Sequence, residues 1–199
     1  MLAKFVPFIL VALVAATPAF AGSQSEGMRQ VNVSSDSAPG WTPTAEQEAQ
    51  AVAAANVYFA AIDGGKYAEA YAMNSDLMKR QVPEEVFTEL KRSFHDAAGS
   101  LKKRDFLKIT WTKDSARAPE PGVYAAIDFA GQFDKVDRSC GYVVMYQKPD
   151  GGSFTVMADQ NNFITNADAE KLSAGKSPAD LDKIWAVMSS NCPNYPAAK

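Results

Sequence analysis

Few residues of this chain combine the side-chain type and the setting that chemistry needs, and Asp128 comes first among them. It stands in an otherwise apolar stretch, residues 122–133, between Ile127 and Phe129. Alternation along a strand places it on one face with Tyr124 and Ala126, opposite Val123, Ala125, Ile127 and Phe129. If that face lines a closed interior, the carboxyl sits in low dielectric with a raised pKa, the condition for a general base or a proton-sharing donor. If it faces water, or meets a Lys or Arg of the next strand, it does no chemistry.

The other routes to chemistry fail on residue supply. His95 is the one histidine, set in mid-helix between Phe94 and Asp96, and no Gly-x-Ser-x-Gly elbow accompanies it. It reads as a helix-surface histidine. A zinc site needs three or four ligands, more than one His and two cysteines provide, so no metal is expected. Residues 159–162 (Asp-Gln-Asn-Asn) are rich in oxygen but lack the alternate-ligand loop and closing Glu of a calcium site. Strand alternation would also aim them at opposite faces. No Gly-x-Gly-x-x-Gly or phosphate-loop pattern occurs, and no cofactor is expected. Lys79, Arg80, Lys91, Arg92, Lys102, Lys103, Arg104 and Lys108 form a basic stretch, but Glu84, Glu85, Glu89, Asp96 and Asp105 are interleaved with it. Mixed charges of this kind read as a solvated face, with an anionic lipid or protein surface as the alternative. A chain of 199 residues with net charge −3 is not built around nucleic acid.

The elements that must position these residues divide the chain in two. Residues 1–21 read as a secretory signal: Lys4, an apolar run and an Ala-x-Ala end at Ala21, too short and too broken by Pro18 to span a bilayer. The protein is therefore expected in the periplasm or secreted, with no membrane span after processing. In an oxidising compartment Cys140 and Cys192 are expected to form one structural disulfide. Residues 22–43 show no apolar period and read as a flexible segment, whose trimming to about Thr44 should leave the fold intact. Thr44 and Gln47 have capping-box spacing ahead of a helix to Ile62, with Val52, Ala55, Phe59 and Ile62 on one face. Gly64 and Gly65 end it. A second helix, 66–75, carries Tyr67 and Tyr71 on one side, and a third opens at Pro83 with Phe87, Leu90 and Phe94 on its buried face. The period then changes to two. Strands are expected at 106–111, 122–133, 141–147 and 154–164, the last two joined by a turn at 149–152. Such long strands twist and curl. Residues 166–173 and 177–190 read as short helices.

Three helices followed by a curved meander resemble the nuclear transport factor 2-like superfamily, which includes ketosteroid isomerase-like and cystatin-like folds. More narrowly, residues 51–164 resemble a family of secreted bacterial proteins known as a domain of unknown function. The resemblance rests on Ile62-Asp63-Gly64-Gly65-Lys66-Tyr67, on Gly122-Val123-Tyr124 with Phe129-Ala130-Gly131-Gln132-Phe133, and on Asp150-Gly151-Gly152 with Asn162-Phe163-Ile164. Cys140 departs from it, standing where the family more often has an acid, and the Cys192 tail lies outside the shared region. The resemblance implies three N-terminal helices on a curved four-stranded antiparallel sheet, a cone. It also implies an acid and a tyrosine working together in isomerase-like members, with Tyr67 or Tyr71 able to approach Asp128.

These readings give an α+β chain: leader 1–21, flexible 22–43, cone domain 44–165, and a helical extension 166–199 tied back by the disulfide. The expected function is an exported, non-catalytic binding or accessory module without hydrolytic chemistry. Its partner is a small apolar molecule in the cone or a protein on the outer sheet, with Tyr67, Tyr71, Tyr124 and Asp128 as candidate contacts. The alternatives are an isomerase- or hydrolase-type enzyme using Asp128 with a tyrosine, and a homodimer through the open sheet face.

Overall fold

A computed structural model describes residues 30–189. The expected leader, residues 22–29 and Cys192 lie outside the described residues. Among these residues the architecture is α+β, a five-stranded mixed sheet with six helices. The strands are β1 (Gln30–Val33), β2 (Leu101–Lys113), β3 (Val123–Phe133), β4 (Arg138–Lys148) and β5 (Gly151–Ile164), paired in that order. The helices are α1 (Ala45–Asp63), α2 (Tyr67–Ala72), α3 (Asp76–Gln81), α4 (Glu84–Ala98), α5 (Asn166–Ser173) and α6 (Pro178–Ser189). Among the described residues no helix is long and apolar enough to cross a membrane.

The antiparallel meander is present as β2 to β5. Two elements differ from expectation. Four helices, not three, precede the meander, because Ser75 caps a six-residue helix too short to display a period: its hydroxyl accepts from the Met78 N–H at 3.1 Å. The sheet also has a fifth strand, β1, which pairs parallel to β2 with Val31 opposite Ile109 and Val33 opposite Trp111. Two valines in four residues give no readable alternation, and the partner strand lies some seventy residues on.

The segment after β1 is a strap and not a loose tail. The Ser34 and Ala38 N–H groups donate to the carbonyls of Trp111 and Lys113, at 2.8 and 2.9 Å. Asp36 accepts from Ser34, from Ser115 at 2.7 Å and from Arg117 at 3.1 Å, and these bonds hold its carboxyl well below the usual carboxylate range. Trp41 then sets its ring edge-on to Trp111, with centroids 6.5 Å apart. Removing residues up to 43 is therefore expected to cost about 2 kcal/mol or more, read as a lower urea midpoint. An unchanged midpoint would mean that the strap carries no stability.

The helices cover one face of the sheet. Ala51, Ala55, Tyr58 and Ile62 form the buried stripe of α1, after a capping box in which Thr44 and Gln47 exchange bonds of 3.1 Å. Gly65 supplies the left-handed backbone (φ +71°) that turns the chain out of α1. The stripe packs on Ile109, Trp111, Ala125, Ile127, Val143, Met145 and Val156. The other face carries a smaller cluster of Tyr124, Tyr146 and Met157, reached by Leu77 of α3. That helix wraps the β5 edge, where Ser75 N–H and Val156 N–H donate to Val156 and Met73 carbonyls at 2.8 and 2.9 Å. An edge so bonded is closed to further strands there.

Tyr146 gives this outer cluster a pH signature. Its hydroxyl donates to the Pro121 carbonyl at 2.8 Å. Burial, then the neighbouring Tyr124 and Glu120, push its pKa from 10.0 up to about 12. The folded state thus keeps a proton that the unfolded chain releases. The stabilisation is complete below about pH 10 and is lost as pH rises from 10 toward 12. Tyr146→Phe should flatten the stability profile between about pH 9 and 12; an identical profile would contradict the assignment.

Candidate functional site

At one end of the helix-covered face, α1, α4 and the ends of β2, β3 and β5 leave a cavity of about 220 Å³. Deeper in, the expected cone is filled by rings: Tyr58, Phe59, Phe87, Trp111 and Phe129 are all buried. Phe59, Ile62, Phe94 and Phe129 wall the space that stays open, and Leu90 and Phe163 stand at its mouth, 62% and 43% exposed. Helical spacing alone puts Leu90 on the buried face of its helix; the structure puts it at the rim. Two roomier grooves, between the C-terminal helices and beside the start of α1, carry only exposed charged residues.

The charges of the small cavity are of another kind, because they are half-buried and paired. Arg104 lies on the inner face of β2 and forks onto Asp63, at 2.5 and 2.9 Å. The two side chains are 11% and 19% exposed. The Arg104 guanidinium also sits 4.2 Å over the Phe59 ring. Asp63 is the last residue of α1, where the helix dipole disfavours an acid, and Arg104 offsets that. Across the cavity Asp159 of β5 accepts from Lys91 of α4 and, at 2.7 Å, from the Tyr58 hydroxyl of α1. Burial first, then the Asp159 charge, push Tyr58 well above the usual phenol range. Tyr58 therefore stays a protonated donor, and Asp159 is an anion committed to two partners. That arrangement orients and holds the walls of the cavity.

A bulge explains how Asp159 arrives there. The β4–β5 register shifts between Val144 and Met145, so Ala158 opposes Val144 but Val156 opposes Met145. Met157 is the extra residue, and beyond it the inner face is carried by Asp159, Asn161 and Phe163 instead of the even-numbered positions. A similar shift in β2 falls between Phe106 and Lys108.

The residues singled out by sequence lie elsewhere. Asp128 and Tyr124 project from the face opposite the one α1 covers; Asp128 stands between Lys108 and Tyr142 on neighbouring strands. Tyr124 stacks on Tyr146, centroids 4.9 Å apart, and its hydroxyl donates to the Glu120 carbonyl at 2.6 Å. Tyr71 donates to the Val82 carbonyl at 3.2 Å while its ring packs on Phe87. Tyr67 is half-buried, and burial, then Asp96, raise its pKa. None of the four lines the cavity. His95 is partly exposed near the end of α4. Cys140 is buried on β4 between Ala130 and Asn162, and its expected partner Cys192 lies outside the described residues.

The polar residues at this cavity that sequence reasoning misses leave partial signals. Tyr58 falls three after Ala55 and four before Ile62, inside the buried stripe of α1. Lys91 falls four after Phe87 and three before Phe94, on the inner side of α4. Arg104 is in phase with Phe106. These two cations are the buried members of a basic stretch whose composition reads as a solvated face. Asp159 has no signal, since a bulge cannot be read from alternation.

The chain matches one family model, described as "Protein of unknown function (DUF4019)", over residues 54–158. That span holds Tyr58, Asp63, Lys91 and Arg104, and stops one residue short of Asp159. No curated protein and no solved structure matches.

Proposed function

The chain belongs to the family of unknown function DUF4019, and on that premise we propose that it is an exported, non-catalytic module that binds a small, largely apolar molecule. The observation that carries the reading is the 220 Å³ cavity with aromatic walls and half-buried, mutually paired charges. Interior charges paired this way make poor reagents and good fixed walls, while apolar surface supplies the drive for a ligand to enter. Helices on one face of an antiparallel meander also support placement in the nuclear transport factor 2-like superfamily. The leader at 1–21 supports export to the periplasm or beyond, with a Cys140–Cys192 bond tying the C-terminal extension to β4.

The test is direct. Toluene titrated into residues 22–199 should shift the NMR signals of Ile62 and Leu90 and saturate. Leu90→Trp, a change at an exposed position, should close the mouth and weaken binding by roughly tenfold. Undiminished binding in that variant would place the ligand elsewhere.

A further inference from the structure

We propose that the ligand of this cavity carries an uncharged head that both donates and accepts hydrogen bonds, a carboxamide being the simplest, on an apolar body; this rests on the binding reading above. Three buried polar atoms at this end of the inner face have no hydrogen-bond partner among the described residues: Arg104 Nε, Ser139 Oγ and Asn161 Oδ1. They lie on adjacent rungs of one ladder. Arg104 opposes Gly131, Gly131 opposes Ser139, and Asn161 opposes Gly141 one inner-face step further along. Arg104 and Asn161 line the cavity itself.

Leaving such atoms unpaired is costly, so two of them lining one cavity, with a third on a neighbouring rung, call for a complement. The chemistry of that complement is constrained atom by atom. Arg104 Nε can only donate, Asn161 Oδ1 can only accept, and Ser139 can do either. The matching head must offer both an acceptor and a donor, which a carboxamide does in one plane.

Charge then removes the ionic alternatives. Arg104 and Lys91 line the cavity and are each paired, with Asp63, which does not line it, and with Asp159, which does. An incoming carboxylate would have to compete with Asp63 or Asp159 for its cation, and an ammonium would meet Arg104 and Lys91. The neutral head avoids both penalties. A cavity of about 220 Å³ with phenylalanine walls suits one ring or a short chain beside that head.

The experiment compares benzamide, benzoate and toluene, three probes of one ring size, by NMR titration of residues 22–199. Benzamide should bind roughly tenfold more tightly than either other probe. Asn161→Leu should abolish the preference, so that benzamide binds that variant no more tightly than toluene does. Equal binding of benzamide and toluene overturns the inference while the binding reading stands, because the cavity then reads shape alone. Benzoate binding most tightly overturns it in favour of an anionic head. If none of the three binds, both the inference and the binding reading fail. The ranking on the unsubstituted protein decides even if Asn161→Leu does not fold.

Discussion

Asp63→Ala should lower stability by about 2–3 kcal/mol, although it removes a charge from the unfavourable end of α1. The cause lies in what it leaves behind. Arg104 is 11% exposed under the rings of Phe59, Phe129 and Phe133, and without the Asp63 fork its charge has no anion there. Losing one member of a buried pair is far more damaging than losing both. The double variant Asp63→Ala with Arg104→Met should therefore recover most of the loss, since an unbranched apolar chain can fill the space above Phe59. Urea unfolding with a common slope measures both. A loss below about 1 kcal/mol in the single variant would reduce the pair to an ordinary surface ion pair.

A larger effect is expected at Phe59 itself. Its ring is 6% exposed and lies 4.9 Å from Phe129, 5.6 Å from Tyr58 and 6.0 Å from Phe106, with the Arg104 guanidinium on its face. Phe59→Ala removes a buried ring from the joint between helix and sheet and should cost about 4 kcal/mol. For a domain whose whole stability is about 5–15 kcal/mol, that takes a large share of the margin. Phe59→Leu keeps most of the volume and should lose only about 1–2 kcal/mol. If the alanine variant unfolds within about 1 kcal/mol of the unsubstituted protein, Phe59 is not the keystone of the cavity wall.

The long, strongly periodic elements are legible in the sequence: the capped α1, the α4 that opens after Pro83, and the meander with its turn at 149–150. Short elements are not. Both α3 and β1 are held by contacts with residues distant in sequence, Val156 and Trp111 among them, and not by a pattern of their own. The site is less legible than the fold, for a physical reason. Alternation identifies Asp128 as an acid in an apolar strand and gives its neighbours on that face, but cannot say which face the helices will cover. A single bulge at Met157 then turns Asp159 inward, one residue beyond the span that the family shares. Lys91 and Arg104 are hidden by their company, because a paired buried cation and a solvated one are the same letter in a charged run.

The central claim, that the 220 Å³ cavity between α1, α4 and the ends of β2, β3 and β5 is the binding site, is tested most directly by mapping where a small apolar molecule goes. Toluene is titrated into residues 22–199 and the shifted NMR resonances are placed on the fold. Saturable changes are expected at Ile62, Leu90, Phe94 and Asn161, with Tyr124, Tyr146 and Met157 on the opposite face unmoved. Changes centred on that opposite face, or none that saturate, would contradict it.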